Sequence, residues 1–209
     1  MPIKKKRFFP VDVPLINEEV HLLGYDWQDL DNRTLTIDLT RILRGKNIDL
    51  CAKVIVDGDR AQAYPTSLKL LKYFLVKAVR KGTDYVEDSF EVECRDATVR
   101  IKPFLVTRKR VSRAVLNALR NKAKNELTAW AKEKLVEKLF EDVLKNKVQK
   151  QISLILKKIY PLTLCEVRIL EVISWKTKPT FVHTKEKITE KPIEIESVEL
   201  NEEIIEEKN

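Results

Sequence analysis

Residues 100–124 read RIKPFLVTRKRVSRAVLNALRNKAK, and this stretch is the most informative part of the chain. It contains nine basic residues and no acidic residue, whereas the whole chain of 209 residues carries a formal charge of only +8. Such segregation of positive charge favours a surface that meets a polyanion over an ordinary solvated face. The basic residues are Arg100, Lys102, Arg108, Lys109, Arg110, Arg113, Arg120, Lys122 and Lys124.

The same stretch predicts a strand followed by a helix. Residues 97–101 alternate between apolar and polar, which is the pattern of a strand with one buried face. Pro103 predicts the end of that strand or a sheet edge, because proline cannot donate a ladder hydrogen bond. Residues 107–110 are interpreted as a connector and Ser112 as the N-cap of a helix. The apolar stripe of this helix is Val115, Leu116, Leu119, Ala123 and Leu127.

One side of the predicted helix presents polar and basic groups. At about 100° per residue, four side chains fall on a narrow line beside the apolar stripe. They are Arg113, Asn117, Arg120 and Lys124. The basic run at 108–110 precedes the helix N-terminus, where free N–H groups and the macrodipole also favour phosphate. We therefore predict contacts with RNA phosphates, with Arg110 and Arg113 expected to make bidentate ones.

The remaining patterns predict an α+β fold. Strands are expected at 34–40, 48–56, 61–64, 90–94, 97–106 and 165–175, with a hairpin turn at Asp57-Gly58. One helix is expected at 66–81, ended by Gly82. A longer helical region is expected at 112–159, with breaks near 128–130 and 144–146.

The N-terminal residues 1–20 are predicted to form a basic extended arm, because they combine a basic cluster with three prolines. Phe8 and Phe9 lie next to this cluster. They either stack on RNA bases or dock on the body of the protein, and docking is the favoured alternative. The basic cluster, which we also predict to contact RNA, is Lys4, Lys5, Lys6 and Arg7.

Composition divides the rest of the chain in two. Residues 21–176 are predicted to form a single α+β RNA-binding domain. Residues 177–209 are predicted to form a charged, partly disordered acidic tail, since nine Glu and four Lys occur from residue 185 onwards. This tail is either solvated, which we favour, or folded against a neighbouring basic protein.

The chain lacks the usual local signatures of catalysis and of metal binding. Its four glycines form no phosphate-binding or dinucleotide-binding loop. There is no CxxC or HxxxH spacing, so neither a metal nor a cofactor is predicted. Asp26, Asp29 and Asp31 are interpreted as a turn cluster rather than a metal site. We therefore predict a protein that is not an enzyme.

The cysteines and the hydropathy pattern indicate the cellular compartment in which the protein is expected to function. Cys51, Cys94 and Cys165 are widely spaced within apolar segments, which is typical of buried core thiols under reducing conditions. No apolar run approaches the roughly 20 residues that span a bilayer. A cytoplasmic protein with no membrane partner is therefore expected.

Four short motifs occur in a recognisable order. They are VRKGT at 79–83, TRKR at 107–110, IYPL at 159–162 and VRIL at 167–170. The ordered series resembles the archaeal and eukaryotic small-subunit ribosomal protein S-three-a-e family, also called eS-one. The resemblance covers about 34–175, while the residues before Gly24 match it less well and the acidic tail does not contribute to it.

The resemblance implies a β-barrel-like core with packed helices in a structural constituent of the small ribosomal subunit that supports translation. It implies binding of small-subunit rRNA on the platform, near the mRNA exit and the 3′ end of that rRNA. It further implies neighbours of the S-eleven and S-twenty-six-e type, and leaves direct contact with mRNA open. It carries RNA contact onto Arg80, Lys81, Arg108, Lys109, Arg110, Arg113 and Arg120.

Two other classes of function stay open at this point. The chain could instead be a free RNA-binding translational regulator, which would bind many mRNAs rather than sit once in each small subunit. An RNA-cleaving enzyme is the third alternative, and it is disfavoured because no convergent acid–base group is visible.

Overall fold

A computed structural model of the chain describes residues 5–43 and 46–176. Lys4 and the acidic tail therefore lie outside the described residues. The strands are β1 Arg7–Val13, β2 Glu18–Gly24, β3 Thr34–Asp38, β4 Ile48–Asp57, β5 Arg60–Leu70, β6 Tyr85–Glu87, β7 Phe90–Glu93, β8 Ala97–Thr107 and β9 Leu162–Trp175. The helices are α1 Lys72–Ala78, α2 Arg113–Lys132, α3 Val136–Leu144 and α4 Lys147–Leu156.

The described strands form one mixed sheet, and the α+β class is confirmed. Its main path runs β2-β1-β5-β9-β8-β6, with β4 and β3 added at β5 and with β7 added at β8. All pairings are antiparallel except a single parallel contact between Asp12 of β1 and Gln62 of β5. The observed sheet differs in one respect from the barrel-like core that the resemblance implies, because it is not closed.

Strand β8 lies in the middle of the sheet and does not end at Pro103. It pairs with β9 along its whole length, with a register shift between Lys102 and Pro103. On its other side, β7 pairs up to Ile101 and β6 pairs from Phe104. Pro103 thus occupies a gap between two ladders, where the missing N–H group costs no hydrogen bond. The expectation of a strand end or a sheet edge at this proline is wrong.

The prediction for 61–81 also needs correction. Strand β5 continues through Pro65 to Leu70, so the helix α1 is much shorter than predicted. Leu68 is fully buried, since β5 pairs with β4 on one side and with β9 on the other. A strand that is buried by two neighbours has a continuous apolar pattern, which sequence periodicity does not separate from a helix. Gly82 does not end this helix, because α1 ends at Ala78, and Gly82 instead lies in the turn that follows, with a φ of +89°.

Residues 7–24 form a hairpin in which the extended backbone of the predicted arm is paired with β2. Phe9 faces inward and its ring lies 4.7 Å from that of Trp27, centroid to centroid. Phe8 points the other way and is 71% exposed. The docking that we favoured is therefore seen for Phe9 and not for Phe8.

The helical region contains three helices, as its apolar stripes predict. The stripe of α2 is buried at Leu119, Ala123 and Leu127. The second break lies at 145–146 as predicted, whereas the first lies at 133–135 instead of 128–130. The turn between β7 and β8 explains the first break. There the carboxylate of Asp96 accepts the N–H of Val136 at 3.1 and 3.2 Å, which caps the start of α3.

Candidate nucleic-acid interface

Asp84 forms hydrogen bonds with both ends of the connector between β8 and α2, at Thr107 and at Val111. The N–H of Thr107 donates to the carbonyl oxygen of Asp84 at 2.9 Å, and the N–H of Asp84 donates to the hydroxyl of Thr107 at 3.0 Å. The N–H of Val111 donates to the carboxylate of Asp84 at 2.8 Å. The loop at 108–110 is thus held on both sides, while its three basic side chains are exposed.

Thr107 is the anchor of this arrangement, because it is completely buried. Its hydroxyl oxygen lies 2.9 Å from the carbonyl oxygen of Asp84 and 2.8 Å from that of Lys109, so its proton can serve either acceptor. The hydroxyl of Thr163 on β9 donates to the carbonyl oxygen of Thr107 at 3.3 Å. A buried hydroxyl with these partners fixes the backbone that leads into the basic loop.

The turn at 80–83 brings a second basic segment to the same place. The hydroxyl of Thr83 donates to the carbonyl oxygen of Arg80 at 2.7 Å, which closes the turn. Asp84 follows this turn directly and is bonded to Thr107, which lies 23 positions away in the sequence. The exposed side chains of Arg80 and Lys81 therefore lie on a turn that adjoins the 108–110 loop.

The start of α2 extends this surface. Ser112 occupies the N-cap position as predicted, although its side chain makes no capping hydrogen bond. The first N–H groups of the helix have no intrahelical acceptor and point towards the basic loop. Arg113 and Arg120 are exposed along the helix. Lys124 lies further along, with its amine 5.8 Å from the ring centroid of Phe90.

We refer to one set of exposed cations as the basic face. Within residues 5–43 and 46–176, none of them forms an ion pair with a carboxylate. They consequently keep their full charge for an external anion. The basic face consists of Arg80, Lys81, Arg108, Lys109, Arg110, Arg113 and Arg120.

Two other cations of the predicted site have carboxylate partners. Arg100 lies between Glu91, at 2.8 Å, and Glu171, at 3.8 Å, on the two neighbouring strands. The hydrogen bond that Arg100 donates to Glu91 is the main reason why the pKa of Arg100 is raised. Lys122 pairs with Glu126 at 2.8 Å, one helical turn away. These cations offer less net charge to a phosphate than the basic face does.

The remaining predicted contacts lie elsewhere. Lys102 is half-buried on the same side of β8 as Arg100. Lys5, Lys6 and Arg7 are exposed at the start of β1, which β5 and β9 separate from β8 in the sheet. The structure therefore does not bring this N-terminal cluster into the basic face.

The described residues offer neither a candidate metal site nor a membrane-spanning helix. They contain no group of three His, Cys, Asp or Glu side chains that could hold a metal ion. In the aspartate cluster, Asp29 accepts the N–H of Tyr25 at 3.3 Å and Asp31 accepts the N–H of Val56 at 3.4 Å. The first bond lies within the predicted turn, whereas the second joins Asp31 to β4. No helix in this part of the chain is long and apolar enough to cross a membrane.

The cysteines agree in part with their prediction as core thiols. Cys94 is buried, whereas Cys51 and Cys165 are half-buried, and all three are free. Burial raises the pKa of Cys94 to about 11 and that of Cys165 to about 12, with Asp96 and Glu166 adding to the respective shifts. Both thiols are therefore protonated at neutral pH and are poor nucleophiles.

All seven residues of the basic face were predicted RNA contacts, whereas the hydrogen bonds that position the loop were not predicted. Asp84 and Thr107 were not predicted as a pair, because their contact joins two segments that are separated by strands β6 and β7. An isolated acidic residue directly after a basic turn was the only local signal for Asp84.

Comparison with the sequences of known proteins agrees with the motifs. The model of the Ribosomal S3Ae family matches residues 2–176. The chain belongs to this family. It is therefore a ribosomal protein, a structural component rather than an enzyme, and the resemblance inferred from its motifs is confirmed.

Archaeal relatives named small ribosomal subunit protein eS1 agree with this assignment. The one from Pyrobaculum islandicum is 30% identical over 197 residues, which cover 90% of this chain and 89% of the relative. The one from Nanoarchaeum equitans is 26% identical over 166 residues, which cover 76% of this chain and 84% of the relative. The family and these names together support a structural protein of the small ribosomal subunit.

Proposed function

We propose that the protein is a structural constituent of the small ribosomal subunit that binds small-subunit rRNA through the basic face. The observation that carries this proposal is a set of exposed cations that have no carboxylate partner in the described part of the chain, three of them on a loop whose two ends are hydrogen-bonded to Asp84. A fixed cationic surface suits the phosphates of a folded RNA, because little side-chain and loop freedom is lost on binding.

The residues of the basic face have distinct roles in this proposal. Arg110 and Arg113 flank the start of α2 and make bidentate contacts with phosphate oxygens. The free N–H groups of the first helical turn add donors to the same anion. Arg80 and Lys81 extend the contact to a neighbouring phosphate. The contacts position the protein on RNA without reading its sequence.

The family resemblance supports a finer location. We place the protein on the platform of the small subunit, near the mRNA exit and the 3′ end of the rRNA, where it supports translation in the cytoplasm. Its neighbours there are proteins of the S-eleven and S-twenty-six-e type. The names of the eS1 relatives support the small subunit as the assembly.

Ultraviolet crosslinking in cells, followed by sequencing of the attached RNA, tests this proposal. We expect one dominant signal near the 3′ end of the small-subunit rRNA. A spread over many mRNAs without an rRNA peak would overturn the proposal and favour a free translational regulator instead.

A binding measurement on the purified protein tests the site itself. Changing Arg108, Lys109 and Arg110 together to Ala should lower both the affinity for rRNA fragments and the salt dependence of binding. A matched control removes the same charge at three exposed cations that also have no carboxylate partner among the described residues, through Arg60→Ala, Lys138→Ala and Lys150→Ala. Equal losses in both variants would show that only the net charge matters and that the basic face is not the site.

A further inference from the structure

The outer face of the β1–β2 hairpin exposes a cluster of large apolar side chains. Phe8 and Leu23 are paired across the two strands and are 71% and 41% exposed, and Tyr25 follows at 45%. They are three of the eleven large hydrophobic residues that are exposed in the described part of the chain. Single exposed hydrophobic residues are normal, whereas a cluster marks an interaction site.

Packing within the protein does not explain this exposure. The inner face of the same hairpin is well packed, since Val11 and Val13 are buried and Phe9 lies against Trp27. The hairpin is therefore anchored without Phe8. Its ring stands on a fixed strand and is available to an external partner.

Cations surround these rings. Lys5, Lys6 and Arg7 are exposed at the same end of the hairpin, and the amine of Lys6 lies 5.4 Å from the ring centroid of Tyr25. Arg33 also reaches this end, where its guanidinium donates to the carbonyl oxygen of Leu23 at 2.9 Å. Rings interleaved with basic side chains are the arrangement that binds unpaired nucleotides, through stacking and phosphate contacts together.

The acidic residues near the hairpin do not cancel this arrangement. Asp12, Glu18 and Glu19 lie at the other end, beside the turn. Asp26, Asp29 and Asp31 follow Tyr25, and Asp29 and Asp31 each accept a backbone N–H group. The aromatic end of the hairpin, with the four cations Lys5, Lys6, Arg7 and Arg33 against these three carboxylates, keeps a small net positive charge.

We propose that Phe8, Leu23 and Tyr25 form a platform on which an unpaired RNA base stacks, while Lys5, Lys6 and Arg7 bind its flanking phosphates. This proposal rests on the proposed function, since it assumes an RNA partner. It adds a second contact of different chemistry, because β5 and β9 separate this hairpin from β8, whose end leads into the basic face. The basic face binds backbone, whereas the platform selects nucleotides that are free of a duplex.

Binding of an unstructured single-stranded oligonucleotide and of a duplex to the full-length protein tests the platform. Phe8→Leu should weaken single-strand binding roughly tenfold, because an aliphatic side chain does not stack as a ring does. It should leave duplex binding unchanged. Phe8→Trp should retain single-strand binding. Leu154→Ala, at a site on α4 that is 67% exposed, serves as a control and should have no effect.

The salt dependence of binding separates the platform from the basic face. Stacking releases no counterions, so Phe8→Leu should leave the salt slope unchanged, whereas the triple Ala variant at 108–110 should reduce it. If the wild-type protein binds neither RNA, the proposed function fails. If the triple variant behaves as expected and Phe8→Leu binds single strands normally, the platform proposal alone fails.

A protein partner is the competing occupant, and purified small subunits distinguish it from RNA. Ultraviolet irradiation followed by mass spectrometry should find RNA adducts on Phe8 or Tyr25. A photoreactive phenylalanine analogue at position 8 that crosslinks only to a ribosomal protein would overturn the platform proposal.

Discussion

Two parts of the basic stretch at 100–124, its start on β8 and the loop at 108–110, have opposite electrostatic surroundings. On β8, Arg100 lies between two glutamates of neighbouring strands, whereas the three cations at 108–110 have no carboxylate partner within the described residues. The charge density along the sequence is similar in both parts. The difference arises because a central strand places each side chain next to those of two other strands, while a loop at the end of the strand does not.

The largest effect that we predict contrasts the unpaired cations of the loop with the paired cations Arg100 and Lys122. Changing Arg108, Lys109 and Arg110 to Ala should lower rRNA affinity roughly two-hundredfold at about 0.1 M salt, if each contacts one phosphate. The slope of log affinity against log salt should become shallower by roughly two to three. Arg100→Ala combined with Lys122→Ala should change that slope by less than one. Filter binding or fluorescence anisotropy over a salt series measures both, and similar slopes for the two variants would contradict the comparison.

The next prediction concerns a cation whose partner is shielded from water. The amine of Lys46 lies 2.5 Å from the carboxylate of Glu166, and both side chains are nearly buried, at 12% and 13% exposure. Lys46→Met removes one charge and leaves the other without its main partner. We expect the free energy of unfolding to fall by about 3 kcal/mol, measured by urea denaturation.

A second substitution checks the cause of that loss. Glu166→Gln in the Lys46→Met background removes the unpaired charge and should restore part of the stability. No recovery would mean that the packing of the lysine stem, rather than the ion pair, accounts for the effect. The salt slope of RNA binding should stay unchanged, since Lys46 does not belong to the basic face.

The third prediction sharpens the role of the loop anchor. Thr107→Val keeps the shape of the buried side chain but removes the hydroxyl that bonds Asp84 and Lys109. We expect a loss of about 2 kcal/mol in unfolding free energy, because buried polar groups lose their partner. RNA affinity should also fall, with the salt slope retained, because no cation is removed. A reduced slope would show that the loop no longer presents its cations.

Thr107→Ser is the matched control for this prediction. It retains the hydroxyl and removes a methyl group, so it should keep most of the RNA affinity. If both variants bind RNA like the wild-type protein, the contact between Thr107 and Asp84 does not position the basic loop.

The same contrast shows how far the sequence predicts this molecule. The strand, connector and helix from 97 to 132 were predicted because their signals are local: alternation, a basic run and a stripe at helical spacing. The helix expected at 66–70 is a strand, since its burial depends on pairing with β4 and β9. The partners of Arg100 and Thr107 come from other strands for the same reason. The sequence thus located the cations. Only the contacts between strands and helices showed which of the described cations have no carboxylate partner.

The smallest effect that we predict concerns the thiol of Cys94, which stays protonated in the folded protein. Burial raises the pKa of Cys94 to about 11, above the value of 9.0 for an ordinary thiol, and the neighbouring Asp96 adds to this shift. Below pH 9 the thiol is protonated in both the folded and the unfolded chain, so its contribution to stability is complete. As pH rises further, the unfolded chain loses the proton first, and stability falls.

Urea denaturation at a series of pH values tests this expectation. Between about pH 8 and pH 10, Cys94 should account for a loss of about 1 kcal/mol in unfolding free energy. Cys94→Ala lowers stability at every pH because it leaves a small cavity, yet its decline above pH 9 should be shallower than that of the wild-type protein. Lysine and tyrosine titration is common to both proteins and cancels in the difference. Parallel declines would mean that the thiol ionises equally easily in the folded chain, and that its burial beside Asp96 does not hold the proton.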